Sequence, residues 1–240
     1  MKSFVKSLAK FFFCFFPLDI LIKALINFLS FLCRLVIYRD WGLRLYGQPQ
    51  FFKHYLNIYT WNKKPENCAF AARGIYAREN MFSDCVVLDL CCGDGSISYY
   101  FFSDIALKID AVDNNELAIK FAKKYNLREN INYLQMNILN ENLPIKLYDV
   151  IVFNAAMLYF TLTEIDMVFK KIILAGKENF TFCGMVPINP EYVDHKIKFF
   201  DETEVLNFLS IYFNRVEIKS QFEGKILTIY FKANIPSFIK

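Results

Sequence analysis

Short apolar runs alternate with stretches of helical periodicity through the middle and the end of the chain, which predicts strands that alternate with helices. Strands are predicted at residues 86–90, 109–113, 131–136, 148–153 and 179–186. Helices are predicted at residues 69–79, 97–102, 116–125 and 202–212. This order implies right-handed parallel crossovers in one sheet, with ligands beyond the carboxyl ends of the strands.

The last two apolar runs, residues 215–221 and 225–232, are separated by a turn at Glu223–Gly224 and predict a β-hairpin. An all-parallel dehydrogenase sheet would show another helix between its last strands. We therefore expect an α/β fold with a seven-stranded, mostly parallel sheet that ends in an antiparallel β-hairpin.

An acidic turn with two glycines follows the first predicted strand, in residues 89–96 (DLCCGDGS). Gly93 and Gly95 allow positive φ and a close approach of the backbone to a ligand. Ser96 is expected to cap the helix that follows. The turn is therefore predicted to be a cofactor-binding loop.

The charge of this loop favours one kind of cofactor. Carboxylates at Asp89 and Asp94 would repel the pyrophosphate of a dinucleotide, whereas they would attract a cationic ligand without phosphates. S-adenosylmethionine carries a sulfonium and an ammonium group and no phosphate. The loop therefore suits S-adenosylmethionine better than it suits NAD.

Polar residues also end the later strands of the predicted sheet. Asp113 lies about twenty residues after the glycines, where a doubly wound fold places the carboxylate that binds ribose. Asn137 and Asn154 follow the third and fourth predicted strands. Such residues at the ends of successive strands are a stronger signal than a glycine loop alone, which has a high false-positive rate.

Residues 69–231 resemble the class I S-adenosylmethionine-dependent methyltransferases, a family with a Rossmann-like fold. The family has an acid-x-Gly-x-Gly-x-Gly loop where this chain has residues 89–95, and Cys91 replaces the first glycine. We expect this replacement to have little effect as long as Cys91 keeps a negative φ. The cofactor-binding residues that the resemblance implies are Asp89, Cys91, Gly93, Asp94, Gly95, Asp113, Asn114, Met136, Asn137, Ile138, Asn154 and Ala155.

The resemblance assigns Asp113 to the ribose hydroxyls and residues 136–138 to the adenine. The family often has Asp at the position of Asn137, and the side-chain carbonyl of Asn can accept the same hydrogen bond from the adenine amino group. Residues 154–156 would face the methyl donor and the substrate. They lack the Asn/Asp-Pro-Pro-aromatic motif of the amino-methylating DNA enzymes, which argues against a nucleobase amine as acceptor.

The composition favours one catalytic domain, predicted at residues 65–240, with an N-terminal extension at residues 1–64. The net charge of +4 comes from dispersed Lys and Arg, so no nucleic-acid surface is expected. The seven Cys contain no CxxC pair and the chain has two His. We therefore expect no metal site and no disulfide framework, and we expect a reducing cytoplasmic location.

Residues 11–37 are apolar and long enough to cross a bilayer, which takes about 20 residues. Polar residues at intervals of three and four lie on one face of the predicted helix, at Asp19, Lys23, Asn27, Ser30 and Arg34. Charged residues at the centre of a membrane cost about 2.5 to 3.5 kcal/mol each. We favour a helix in the membrane interface, at the inner face, or on a partner protein. A spanning helix and a lid helix buried against the catalytic domain remain the alternatives.

Methyl transfer from a sulfonium is an in-line displacement that depends mainly on positioning, although an alcohol acceptor would benefit from a general base. His54, in an aromatic cover segment at residues 40–65, and His195, after the fifth predicted strand, are the candidates. Tyr159 is a candidate for the acceptor pocket. The alternative interpretations are surface histidines and a tyrosine that packs against the core.

The predicted helix 69–79 contains three residues that could contact the cofactor or the substrate: Arg73, Tyr76 and Arg78. The alternative is that they are ordinary helix residues, with the two arginines in solvent. The expected function is methyl transfer to an oxygen of a small molecule, a sugar or a lipid-linked intermediate. The alternatives are a NAD-dependent oxidoreductase and a non-catalytic, membrane-attached protein that binds the cofactor.

Overall fold

The structure is a computed structural model that describes residues 18–41, 65–144, 147–188, 193–223 and 226–236. It divides the chain into two units, Met1–Lys63 and Lys64–Lys240. In the first unit, helix α1 spans Leu18–Trp41. Among the described residues, no helix is both long enough and apolar enough to cross a membrane.

The second unit is built on one seven-stranded sheet with the strand order β3-β2-β1-β4-β5-β7-β6. Strands β1 to β5 pair in parallel, and β7 is antiparallel to both of its neighbours, β5 and β6. This arrangement confirms the predicted Rossmann-like sheet with a closing hairpin. The strands are β1 (Val86–Leu90), β2 (Lys108–Asp113), β3 (Ile131–Gln135), β4 (Tyr148–Asn154), β5 (Gly176–Ile188), β6 (Phe213–Glu223) and β7 (Ile226–Pro236).

Three of the four helices of the second unit begin after a residue whose side chain accepts a hydrogen bond from a free backbone N–H group, and the fourth begins at a proline, which has no N–H group. The side chain of Asn115 caps one helix, Thr161 and Glu164 form a capping box at another, and Asp201 caps a third. The helices are α2 (Pro65–Glu79), α3 (Glu116–Tyr125), α4 (Leu162–Ala175) and α5 (Glu202–Ser210). The sequence analysis missed α4.

The core lies on both faces of the sheet because neighbouring strand residues point to opposite sides. Val87 and Val152 pack on the face that α2 and α3 cover, and Leu88 and Phe153 pack on the face that α4 and α5 cover. All four side chains are fully buried. Burial on both faces explains why β1 and β4 consist mostly of apolar residues rather than of alternating apolar and polar ones.

Candidate functional site

The carboxyl ends of the parallel strands meet at one edge of the sheet, here named the carboxyl edge. Leu90 pairs with both Val112 and Phe153, so the loop after β1 lies between the ends of β2 and β4. Because β7 is antiparallel, its first residues reach the same edge, where Tyr230 pairs with Met185 of β5. The carboxyl edge therefore joins the glycine loop, Asp113, Asn154 and the start of β7.

Three residues of the loop after β1 have left-handed backbone conformations: Cys91 at φ +56°, Gly93 at +57° and Gly95 at +72°. A negative φ was the condition under which the Cys91 replacement was expected to have little effect, and that condition is not met. A side chain in this region costs roughly 1 to 2 kcal/mol, because Cβ approaches the following carbonyl oxygen. The loop keeps the backbone path that a glycine would give, with a conformational cost at Cys91.

The two glycines of the loop serve different purposes. A Cβ at Gly93 would meet no atom within 4 Å, so the backbone there borders open space. A Cβ at Gly95 would lie 2.4 Å from the ring of Tyr133, whose hydroxyl donates to the carbonyls of Gly95 and Asn126. Gly93 thus leaves room for a ligand, and Gly95 lets the loop lie against β3.

Asp113 connects this loop to the start of α3. One carboxylate oxygen accepts from the N–H of Gly93 at 2.8 Å, and the other accepts from the N–H of Asn115 at 2.9 Å. Each oxygen keeps a further lone pair, so the carboxylate can still accept from ribose hydroxyls. Asn114 beside it is exposed, while Asn115, which the sequence analysis passed over, caps α3.

Asp89 is a buried carboxylic acid next to the loop, and the hydroxyl of Ser98 donates to it. Burial and, less strongly, the charge of Asp113 raise the pKa of Asp89 to about 7, although the hydrogen bond from Ser98 lowers it. A cation beside Asp89 would favour the ionised form. The local charge is therefore suited to a positive ligand, as the loop sequence predicts.

Asp94 uses its charge within the loop itself. Its carboxylate accepts from both the N–H of Ser96, at 3.0 Å, and the Ser96 hydroxyl, at 2.6 Å. The expected cap is therefore reversed, since Asp94 accepts and Ser96 donates. The helical segment that follows contains a π-helical turn (Ser98–Phe102), and such turns are often found at functional sites.

The turn after β3 contains the residues assigned to the adenine. The N–H of Met136 donates to the carbonyl of Asp113 at 2.9 Å. The Asn137 side-chain oxygen accepts from the N–H of Leu139 at 3.0 Å, which leaves it one lone pair for a ligand. Ile138 is 5% exposed and belongs to the core beneath the turn.

A lysine of α4 binds the backbone of the turn after β3. The ammonium group of Lys171 donates to the carbonyls of Ile138, Leu139 and Glu141, each at 2.8 Å. These three bonds use all of the donors of the ammonium group. The position of the turn after β3 is therefore fixed by α4.

At the end of β4, Ala155 has φ +56°, and its N–H donates to the carbonyl of Met185 at 2.9 Å. The side-chain nitrogen of Asn154 is buried and has no hydrogen-bond partner in the described structure. Strained backbone and an unsatisfied buried donor are both uncommon in proteins and concentrate at functional sites.

Two of the three predicted catalytic residues lie in contact. The rings of Tyr159 and His195 are edge to face, with centroids 5.3 Å apart. His195 is 9% exposed and Tyr159 is 45% exposed, so the histidine is not the surface residue of the alternative interpretation. The N–H of Lys196 donates to the carbonyl of Leu158 at 2.8 Å and holds the His195 loop in place. His54 lies outside the described residues.

The two predicted arginines of α2 have different environments. Arg78 pairs with Asp104 and donates to the carbonyl of Phe101, so its role is structural. Arg73 is half-buried; burial lowers its pKa, and Glu223, the next contributor, raises it.

Hairpin residues that influence Arg73 were not predicted from the sequence. Glu223 at the end of β6 and Tyr230 at the start of β7 raise the pKa of Arg73, and Thr228 donates to Glu223; all three point to one face of the sheet. Their alternation with the apolar residues of β7 is a period-two signal that identifies this face in the sequence.

Comparisons with known proteins agree with this geometry. Residues 87–178 match the family model of a methyltransferase domain. No curated protein matches the chain significantly.

Among solved structures, the N-methyltransferase NodS from Bradyrhizobium japonicum WM9, in complex with S-adenosyl-L-homocysteine, is similar at 13% identity. The TM-score is 0.59, over 84% of this chain and 97% of that one. The DhpI–SAH complex is similar at 14% identity with a TM-score of 0.57, over 78% and 96%. The [4+2]-cyclase SpnF is similar at 12% identity with a TM-score of 0.58, over 71% and 82%. At these identities the likeness concerns the fold. The domain match, the sheet order and the glycine loop all support the resemblance of residues 69–231 to the class I S-adenosylmethionine-dependent methyltransferases.

Proposed function

We propose that the protein transfers a methyl group from S-adenosylmethionine to an oxygen of a small molecule, a sugar or a lipid-linked intermediate. The observation that carries the proposal is the Asp113 carboxylate, which is fixed by the N–H groups of Gly93 and Asn115 beside open space over Gly93. A carboxylate in this position accepts from ribose hydroxyls, and the absence of a side chain at Gly93 lets the cofactor approach the backbone.

The other loop residues fit the charge of this cofactor. Asp89 would face a cationic group, because a nearby positive charge would stabilise the ionised form that burial disfavours. The bound cofactor would supply an electrophilic methyl group on its sulfonium. The protein would then supply position, through Asn154 and Ala155 at the end of β4 and through the turn after β3.

The acceptor would bind on the β4, β5 and β7 side of the carboxyl edge. His195 and Tyr159 are together in that region, and a neutral imidazole can take the proton that an alcohol loses on methylation. An oxygen acceptor is favoured over a nucleobase amine because residues 154–156 read Asn-Ala-Ala, without the prolines of the DNA enzymes.

The test is calorimetric titration of the wild type with S-adenosylmethionine and, separately, with NAD. We expect micromolar binding of S-adenosylmethionine, and we expect Asp113→Ala to weaken it at least tenfold. Asp149→Ala is the matched control, because Asp149 also accepts from a backbone N–H but lies at the opposite edge of the sheet. Binding of NAD alone would support the oxidoreductase alternative, and equal binding by both variants would refute the role of Asp113.

Turnover separates an enzyme from a protein that only binds the cofactor. Formation of S-adenosylhomocysteine is measured while hydroxyl-bearing acceptors are offered in free and lipid-linked form. Methylation of a hydroxyl supports the proposal. A protein that binds the cofactor and methylates no acceptor in a broad panel would instead support the non-catalytic alternative.

For the location of the enzyme, we propose that α1 lies on the cytoplasmic face of an anionic membrane. The proposal is supported by large apolar side chains that are exposed along the helix: Ile20, Leu21, Ile22, Leu25, Phe28, Leu29, Phe31, Leu32 and Leu35. The full chain is expected to float with phosphatidylglycerol vesicles, and a Leu25→Glu, Phe28→Glu variant is not. Leu107→Glu, at an exposed position of the second unit, is the control. Flotation of the double variant at the wild-type level would refute the proposal.

A further inference from the structure

Arg73 on α2 is a half-buried cation that has no hydrogen-bonding or ion-pair partner among the described residues. Its Nε atom is buried and makes no hydrogen bond, and within the same part of the chain no ion pair reaches its guanidinium group. The ring of Phe70 lies under the guanidinium at 4.4 Å. Buried charges in proteins are normally paired, because an unpaired charge loses its hydration without compensation.

The carboxylate that acts most strongly on Arg73 is already engaged in the hairpin. One oxygen of Glu223 accepts from the hydroxyl of Tyr230 and from the side-chain amide of Gln221, the latter at 3.1 Å. The other accepts from the hydroxyl of Thr228 at 3.2 Å. Glu223 thus attracts the guanidinium from a distance while its own oxygens are bound to hairpin side chains.

Arg73 lies on the side of the carboxyl edge where an acceptor would bind. One turn along α2, the ring of Tyr76 packs 4.9 Å from that of Tyr230. Tyr230 and Asn154 both pair with Met185, so they are about 10 Å apart in the same row of the sheet. Tyr159 is also close enough to Arg73 to raise its pKa, so Arg73 lies near the Tyr159–His195 pair.

Two buried nitrogen donors that lack a partner in the described structure, Arg73 Nε and Asn154 Nδ2, thus belong to this one region. Both require an acceptor atom, and neither can serve as one in the forms present at neutral pH. A guanidinium group presents its N–H donors in a planar fork that matches the oxygens of a carboxylate or a phosphate. The chemistry of the region therefore calls for a ligand with a negatively charged oxygen group.

We infer that Arg73 binds an oxyanion, a carboxylate or a phosphate group, on the methyl acceptor, and that Asn154 donates a second hydrogen bond to the acceptor. The identification of this ligand as the acceptor rests on the proposed methyltransferase function. The binding of an oxyanion at Arg73 does not, and it can be measured without turnover.

The test uses benzoate and phenyl phosphate as probes, with methyl benzoate as the neutral counterpart, added to the full chain in the presence of S-adenosylhomocysteine. Binding is followed by calorimetry. We expect at least one of the two anions to bind saturably and methyl benzoate to bind at least tenfold more weakly. Tighter binding of benzoate would identify the oxyanion as a carboxylate, and tighter binding of phenyl phosphate would identify it as a phosphate. Both results support the inference.

The variants separate Arg73 from a general effect of positive charge. Arg73→Met is expected to weaken anion binding at least tenfold. Arg73→Lys keeps the charge without the planar fork and is expected to weaken binding severalfold, which provides a second measurement if the Met variant does not fold. Arg215→Met is the matched control, because Arg215 is exposed, with 68% of its side chain accessible, and lies at the opposite edge of the sheet.

The absence of saturable binding of both anions to the wild type would overturn the inference, and so would equal affinities of wild type, Arg73→Lys and Arg73→Met. Titration of the same samples with S-adenosylmethionine reports on the proposed function separately. Anion binding that depends on Arg73 in a protein that does not bind S-adenosylmethionine would retain the oxyanion site and refute the methyltransferase.

Discussion

The left-handed conformation of Cys91 predicts an unusual order of stability among its variants. Cys91→Ala keeps a Cβ at φ +56° and loses the sulfur, whereas Cys91→Gly loses both the sulfur and the conformational cost. In most buried positions the Ala variant would be the more stable. Here we expect the Gly variant to be the more stable of the two.

The magnitude follows from two opposing contributions. Relief of the left-handed conformation stabilises the Gly variant by roughly 1 to 2 kcal/mol, and the greater freedom of glycine in the unfolded chain offsets roughly 0.4 to 1 kcal/mol of that. The net difference between Gly and Ala is about 1 kcal/mol in favour of Gly. In a domain of this size, this corresponds to a difference in Tm of about 2 to 4 °C.

The assay is thermal unfolding of both variants by circular dichroism, without cofactor. Gly93→Ala is a useful comparison, because it places a Cβ at φ +57° with no atom within 4 Å and so measures the conformational cost without a clash. We expect Gly93→Ala to lower stability by about 1 kcal/mol. If Cys91→Ala proves as stable as Cys91→Gly, or more stable, the left-handed assignment at this position is refuted.

Four further predictions concern three other residues of the site. Lys171→Met removes three hydrogen bonds from the turn after β3 and should lower the free energy of unfolding, measured in urea, by about 2 kcal/mol. The control, Lys170→Met, removes only an exposed ion pair and should lower the free energy of unfolding by less than about 0.5 kcal/mol. Equal effects of the two variants would contradict the role of Lys171. Asp89 has a pKa of about 7 in the folded protein and about 3.9 in the unfolded chain, so its contribution to stability is complete below about pH 4 and is lost as the pH rises to about 7. Asp89→Asn should remove this pH dependence of Tm. An unchanged dependence of Tm on pH in the variant would contradict the raised pKa of Asp89. In the ionised form Asp89 attracts a cation, so S-adenosylmethionine should bind more tightly at pH 8 than at pH 6 in the wild type but not in Asp89→Asn. His195→Asn should lower kcat on a hydroxyl acceptor by about a hundredfold or more without changing the Kd of S-adenosylmethionine, and an unchanged kcat would exclude a general base at this position.

The sequence predicts the sheet because its strands are buried on both faces and its helices are amphipathic. The bounds of α3 agree with the prediction, since its periodicity is strong. Helix α4 was missed, although Thr161 and Glu164 form a capping box that the sequence displays. The strands predicted for β5, β6 and β7 are shorter than the observed ones, because exposed residues near strand ends give a weak pattern of apolar and polar positions.

The site was predictable where it depends on local sequence and less so where it depends on distant pairing. The positions of Asp89, Gly93 and Asp113 follow from the order of strands and turns. The conformation of Cys91 could not be predicted from the sequence, because the backbone path of the whole loop, rather than the identity of the residue, determines its φ. The proximity of Arg73 to the hairpin joins residues about 150 positions apart, and only the folded sheet brings them together.

The reversed direction of β7 has a consequence for how such a protein can diversify. The residues proposed to bind the cofactor lie at the ends of β1 to β4, whereas the end of β6 and the start of β7 reach the same edge from the far side of the sheet. Exchanges at these strand ends would change the proposed acceptor side and leave Asp113 and the glycine loop untouched. The strand ends of the hairpin are therefore the place where we expect a new acceptor specificity to be introduced without a change to the proposed cofactor site.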